Sequence, residues 1–236
     1  MASPYDSYVG RRGYAIRKNT LSIREQKFIR SELTVKPYLP KSPVQAQSFP
    51  IYRESPNKFY LPLYWAIDHF GSPQESKIDD YDAINMKFTG EPRDYQTKII
   101  ETYMNHISLP DINGGLLEVP CGRGKTFCGL YIAARLKAKT LVIVHKEFLL
   151  NQWVERIKEF IPQARIGRLQ GQIIDIEDKD IVIAMLQSLS MKEYPADLFQ
   201  SFGFTIVDEV HHISSEVFSR ALSNVVTKYT LGLSAT

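Results

Sequence analysis

The sequence has little cysteine, little tryptophan and no long apolar run. Its 236 residues include two cysteines and two tryptophans. Two thiols are too few for a metal cage, and Cys121 and Cys128 are badly placed for a structural disulfide. A reducing, intracellular setting is the expectation, the cytoplasm or nucleus of a host cell or a virion if the source is viral. No stretch approaches the roughly 20 apolar residues of a membrane span, and no signal-peptide pattern opens the chain. No membrane is therefore expected among its partners. Charge of one sign is also scarce, with a formal net charge of +3. An apolar fraction of 44% and a charged fraction of 23% are those of a soluble globular protein.

That small charge is unevenly placed. Residues 1–60 carry eleven basic residues, Arg11, Arg12, Arg17 and Lys18 among them, against four acidic ones, a charge of +7. The remaining residues carry 18 basic against 22 acidic, or −4. A polyanion partner and a solvated basic face both account for this asymmetry. Prolines at 37, 40, 43, 50 and 56 break any long helix, while apolar residues at 21, 28, 29 and 33 have roughly helical spacing. Phe49, Tyr52, Phe59, Tyr60, Tyr64, Trp65 and Phe70 either pack a small core or stack on bases. So many aromatics argue against a disordered tail and for a small α+β domain over residues 1–80. The polar run Ser76–Asp82 suits a linker.

A second domain is expected over residues 85–236. Glu91-Pro92-Arg93-Asp94-Tyr95-Gln96 has helix-start chemistry and opens a helix through Ile107. Apolar runs then alternate with helical patterns. The runs are Leu116–Val119, Leu141–Val144, Ile181–Ala184, Phe204–Val207 and Tyr229–Leu233. The clearest helices are Phe148–Ile157 and Val217–Leu222. Continuous β-branched runs fit strands buried on both faces, so the fold class is α/β, a doubly wound parallel sheet between helices.

Between the first run and the helical pattern from Phe127 stands Pro120-Cys121-Gly122-Arg123-Gly124-Lys125-Thr126. Strand, glycine-bearing loop and helix is the context of a phosphate-binding loop. Glycines let backbone N–H groups approach phosphate oxygens, Lys125 can reach the β- and γ-phosphates, and Thr126 can hold Mg²⁺. The helix adds its N-terminal dipole. The first glycine of the longer pattern is replaced by Val119, and an ordinary glycine-rich turn would also fit G-x-G-K-T taken alone. Asp208-Glu209-Val210-His211-His212 ends a buried run. Asp208 there can hold Mg²⁺, and Glu209 can orient or deprotonate the attacking water. Asp208 would lie beside the loop if the two strands are neighbours. His211 and His212 are candidates for a metal pair, but adjacent histidines on a turn rarely both face one ion, so a coupling or hydrogen-bonding role near the nucleotide is the expectation. Ser234-Ala235-Thr236 ends the last run, where small hydroxyls can sense the γ-phosphate. Gln96 offers donor and acceptor to an adenine edge.

In this order the motifs resemble superfamily 2 helicases and translocases of the DExH type, from about Glu91 onward. Arg93 and Gln96 look like the adenine-reading region, and Gly122, Gly124, Lys125 and Thr126 match the first helicase motif. Asp208, Glu209 and His211 match the second, and Ser234, Ala235 and Thr236 the third. His145-Lys146-Glu147 with Gln152-Trp153 is similar to the segment that grips the nucleic-acid backbone. Gly167, Gln170, Gln187 and Ser188 look like further strand-contacting segments. The form of these motifs is most like the XPB-type group, with helicases of large DNA viruses, the poxvirus transcript-release type among them. The resemblance implies a RecA-like fold, ATP and Mg²⁺ as cofactors, and DNA as the track, with RNA the alternative. His145 stands where the family usually has proline. The family's second RecA-like lobe, with its arginine finger, is not found in these residues. The chain then reads as the amino-terminal part of a larger enzyme that binds ATP weakly alone, hydrolyses it poorly and does not unwind. Two other classes compete: a non-motor nucleic-acid-binding module on a nucleotide fold, and a P-loop kinase or metabolic ATPase. The second leaves Gln96, Gln152-Trp153 and Ser234-Ala235-Thr236 unexplained.

Overall fold

A computed structural model of the chain describes residues 3–10, 12–36, 47–78, 80–81, 83–109, 112–195, 197–210, 219, 221–222 and 225–235. The chain divides into two compact units, residues 1–78 with 213–226, and residues 79–212 with 227–236.

In the first unit, strands β1 (Ser7–Gly10) and β2 (Gly13–Arg17) form a hairpin, followed by helix α1 (Ile23–Glu32). The short strands β3 (Thr34–Val35) and β4 (Phe49–Pro50) pair with each other. Then come β5 (Arg53–Glu54), β6 (Lys58–Leu61), helix α2 (Leu63–Phe70) and β7 (Glu75–Ser76). The five-stranded sheet runs β5-β6-β2-β1-β7. Its last strand takes in Ser76, so the start of the expected linker is paired with β1 at Val9. Ser22 caps α1 by accepting from the Glu25 N–H while the Glu25 carboxylate accepts from the Ser22 N–H. Tyr14, Ile16, Ile29, Phe59, Leu61 and Phe70 fill the core. Of the clustered aromatics, Phe49, Phe59 and Phe70 are buried, whereas Tyr64 is exposed.

Basic residues here do more than face water. Arg30 donates to both Glu54 carboxylate oxygens, at 2.6 and 3.1 Å, and Lys18 Nζ donates to Oε1 at 2.6 Å. Both cations also lie 5.0 Å from the Phe59 ring centroid. The Arg30 hydrogen bonds, joined by Lys18, hold the Glu54 carboxyl at about 2, below its ordinary 4.5. Because the folded value is the lower one, the contribution of Glu54 is complete above about 4.5 and is lost as pH falls through about 2. The acid-unfolding curve should therefore lose part of its slope in that window in Glu54→Gln. Identical acid limbs for the two proteins would contradict it.

The second unit is built by helix α3 (Asp94–Ile107), β8 (Gly114–Glu118), α4 (Lys125–Leu136), β9 (Thr140–Val144) and α5 (Glu147–Phe160). It continues with β10 (Ile166–Gln170), β11 (Ile173–Asp175), β12 (Ile181–Met185), α6 (Leu186–Met191), β13 (Phe204–Asp208) and β14 (Tyr229–Ser234). The sheet order is β11-β10-β12-β9-β13-β14-β8, with every pairing parallel except β10 with β11. All residues of β9, β12 and β13 are buried, as continuous β-branched runs require. Helix α4 packs against β13 and β14, between α3 and α5. Each expected strand is present within a few residues. Of the expected helix at Val217–Leu222, residues 217, 218 and 220 lie outside the described residues.

Candidate nucleotide and nucleic-acid site

Parallel strands point their carboxyl ends the same way, so the loops after them share one edge of the sheet. In register, Ser234 lies opposite Glu118, and Leu233 opposite both Leu117 and Asp208. The sequence expectation had β8 and β13 as possible neighbours. Instead β14 runs between them, which sets Ser234 between the phosphate loop and Asp208. The Val119 N–H donates to the Ser234 carbonyl at 2.9 Å. Asp208-Glu209 still reaches the loop, because Lys125 Nζ donates to Glu209 Oε1 at 3.0 Å.

The loop from Pro120 to Gly124 turns on two left-handed residues, Gly122 (φ 75°) and Gly124 (φ 85°). Around Gly122 there is open space, so its dihedral alone demands glycine. At Gly124 a Cβ would also overlap the Gln96 side-chain nitrogen. Lys125 and Thr126 open α4, directing its N-terminus at the loop. Val119, the substituted first glycine, is 2% exposed and belongs to the core. Cys121 and Cys128 are both free thiols; burial pushes the Cys128 thiol up to about 11.

Gln96 is buried at the start of α3. Its Oε1 accepts from the Arg93 N–H at 2.9 Å, and its Nε2 donates to the Arg123 carbonyl at 3.2 Å. The Tyr95 hydroxyl donates to that same carbonyl at 3.2 Å, and the Arg123 guanidinium sits 5.7 Å from the Tyr95 ring. Sequence reasoning missed Tyr95. Its neighbour Gln96 keeps one amide hydrogen and one lone pair beyond the two bonds given.

Asp208 is 6% exposed, and burial pushes its carboxyl upward from the ordinary range. Two donors oppose that: the Trp153 indole N–H to Oδ2 at 2.8 Å, and the Glu209 N–H to Oδ1 at 3.0 Å. Glu209 has φ 54°, a left-handed conformation that a non-glycine residue holds at a cost of about 1–3 kcal/mol. Among the described residues no three His, Cys, Asp or Glu side chains gather as a metal cage. Mg²⁺ takes one or two carboxylates and completes its shell with phosphates and water. The Asp208 carboxylate and the Thr126 hydroxyl at the start of α4 are oxygen donors of the hardness Mg²⁺ takes. His211, His212 and Thr236 lie outside the described residues.

The expected strand-contacting residues occupy the other half of the same edge, after β9, β12 and β10. Lys146 and Gln152 are exposed, while His145 is half-buried and its carbonyl accepts from Gln187 Nε2 at 3.0 Å. Gln187 is exposed in the first turn of α6. Gln170 closes β10, with Arg168 Nη1 3.4 Å from its Oε1. Ser188 is buried and its hydroxyl accepts from the Gly171 N–H at 2.8 Å, tying the β10–β11 turn to α6.

Residues 89–236 match the family described as "Type III restriction enzyme, res subunit". Over its whole length the chain is 34% identical to a protein of Acanthamoeba polyphaga mimivirus, provisionally named ATP-dependent RNA helicase L396, and spans 46% of it. Over 69% of its length it is 31% identical to the DNA 3'-5' translocase XPB2 of Sulfurisphaera tokodaii, spanning 35% of that protein. The chain thus covers less than half the length of either curated relative. The crystal structure of the UvsW helicase from bacteriophage T4 shares the fold, with a TM-score of 0.62 at 15% identity, over 98% of this chain and 91% of that one. Family match, viral and XPB relatives and RecA-like architecture agree, and the chain belongs to the superfamily 2 helicases and translocases, in the family of the type III restriction enzyme res subunit.

Proposed function

We propose that this chain carries the nucleotide-binding half of an ATP-driven motor that moves on or separates strands of DNA. The observation that carries the reading is the meeting of Lys125, Glu209 and Asp208 at the carboxyl ends of strands distant in sequence. Backbone N–H groups of the loop and Lys125 bind the β- and γ-phosphates, exchanging the Glu209 contact for a phosphate oxygen. Thr126 and Asp208 would hold Mg²⁺, which when bound would supply positive charge beside the phosphates. Glu209, freed from Lys125, orients the attacking water and accepts its proton. Gln96 and Arg93 take the adenine edge. Ser234 lies between loop and Asp208, placed to report the γ-phosphate; His211 and Thr236 would join it.

His145, Lys146, Gln152, Gln170 and Gln187 form the strand-contacting side, with the buried Ser188 holding the β10–β11 turn behind them, and the basic first unit adds phosphate contacts. An arginine for the γ-phosphate belongs to a second RecA-like lobe in the longer protein, a reading supported by the partial coverage of the relatives. Residues 1–236 alone should then bind ATP weakly, turn it over poorly and unwind nothing. The test is phosphate release by the longer protein and by residues 1–236, each with single-stranded DNA, duplex DNA and RNA. DNA-stimulated turnover of the longer protein only is expected. Stimulation by RNA alone would move the track to RNA, as the name of the mimivirus relative has it. Nucleic-acid-stimulated turnover by residues 1–236 would overturn the two-lobe requirement. No turnover anywhere would leave a nucleotide-binding scaffold.

A further inference from the structure

The sheet edge has a nucleotide half, after β13, β14 and β8, and a strand-contacting half, after β9, β12 and β10. Helix α5 follows β9, the strand on the border, and one of its side chains crosses to the other half. Trp153 is 1% exposed, one residue from the exposed Gln152, and its Nε1–H donates to Asp208 Oδ2 at 2.8 Å. Its ring also reaches α4: a Cβ on Gly129 would lie 3.6 Å from Trp153 Cη2. The indole is thus wedged between α5, the helix behind the phosphate loop and the end of β13. We propose that Trp153 is a positioning residue for the magnesium-binding carboxylate, fixing the orientation of Asp208 from α5, the helix whose N-cap position is Lys146.

The chemistry favours this over a packing role alone. A buried indole N–H must find an acceptor, and a carboxylate is the stronger choice over a backbone carbonyl. With Oδ2 taken by Trp153 and Oδ1 by the Glu209 N–H, the carboxylate plane is fixed while each oxygen keeps a lone pair for a cation. Outer-shell donors of this kind typically change metal affinity ten- to a hundred-fold when removed. A tryptophan has two side-chain torsions, and at 1% exposure its ring is held by packing, so the donor reaches Asp208 from a fixed direction.

The inference rests on Asp208 being the magnesium ligand, and the experiment separates the two. Binding of a fluorescent ADP analogue to residues 1–236 is measured against Mg²⁺ concentration and in EDTA, for the unsubstituted chain, Trp153→Phe and Asp208→Asn. Phe keeps a six-membered aromatic ring in the packing and loses the pyrrole ring with its N–H donor. The expected result is unchanged affinity in EDTA, with the Mg²⁺ needed for half-maximal gain raised roughly ten-fold or more in Trp153→Phe. Asp208→Asn should abolish the gain. An unchanged Mg²⁺ requirement in Trp153→Phe, with the gain lost in Asp208→Asn, overturns the positioning role alone. A gain that survives in Asp208→Asn, or is missing from the unsubstituted chain, overturns the assignment of Asp208 and the inference with it. A second readout does not depend on that variant folding. Trp65→Phe leaves Trp153 as the sole tryptophan, and Mg²⁺ with ADP should shift its emission. No shift at saturating Mg²⁺ and ADP would equally overturn the proposal.

Discussion

Replacing Lys125 by alanine should lower ATP turnover of the longer protein roughly a hundred- to a thousand-fold, the usual loss when one preorganised charge at a reacting centre is removed. Two features make the effect large. Lys125 opens α4, so its charge adds to the helix dipole at the phosphates. It is also the cation bonded to Glu209, at 3.0 Å with the side chains 13% and 23% exposed, so in the proposed mechanism binding phosphate and releasing Glu209 as general base are one event. Glu209→Gln should separate these: nucleotide affinity close to that of the unsubstituted protein, with turnover lost. Phosphate release with saturating single-stranded DNA, beside equilibrium nucleotide binding, reads both. Turnover in Lys125→Ala within ten-fold of the parent would mean that Lys125 does not meet the transferred phosphate. Stability should change little, because a partly exposed pair contributes about 1 kcal/mol or less.

Trp153→Ala should be the most destabilising single change in the second unit. Truncating a buried tryptophan costs about 3–5 kcal/mol through lost burial and the cavity it leaves. The Asp208 carboxylate loses a charge-assisted donor in the same step. For a unit of this size about 4 kcal/mol corresponds to a fall in Tm of roughly 10 °C. Differential scanning calorimetry of residues 1–236 would show it, and the first unit, whose core is separate, should keep its own transition. Trp153→Phe should fall less, since a six-membered aromatic ring still fills most of the space. A drop in Tm below 3 °C for the alanine variant would contradict the wedge described for this side chain.

Five of the seven described strands of the second unit were legible because their signals are local, whereas β10, β11 and the short α6 were not read. Uninterrupted β-branched runs specify buried parallel strands, and G-x-G-K-T after such a run specifies a turn, a helix start and an anion site together. Asp208 and Glu209 were legible for the same reason, as acids where a buried strand ends. The likeness of the motifs to superfamily 2 rested on their sequence order. In the first unit the aromatic pattern announced a core without its topology, because short strands joined by prolines and turns carry little periodicity.

Only the tertiary structure decided which ends meet. Lys125 bonds a residue 84 positions away, Trp153 one 55 away and Gln96 one 27 away. The place of β14 between β8 and β13, the partner of the tryptophan in Gln152-Trp153, and the tie from Tyr95 and Gln96 to the loop carbonyl all depend on strand order. A run of apolar residues states that a strand is buried, but not beside which other strand. Any of the parallel orders would bury the same side chains and satisfy the same kind of backbone hydrogen bonds. What separates them is the packing of α3, α4 and α5 and the pairing of a few buried polar groups, and those are properties of the folded chain.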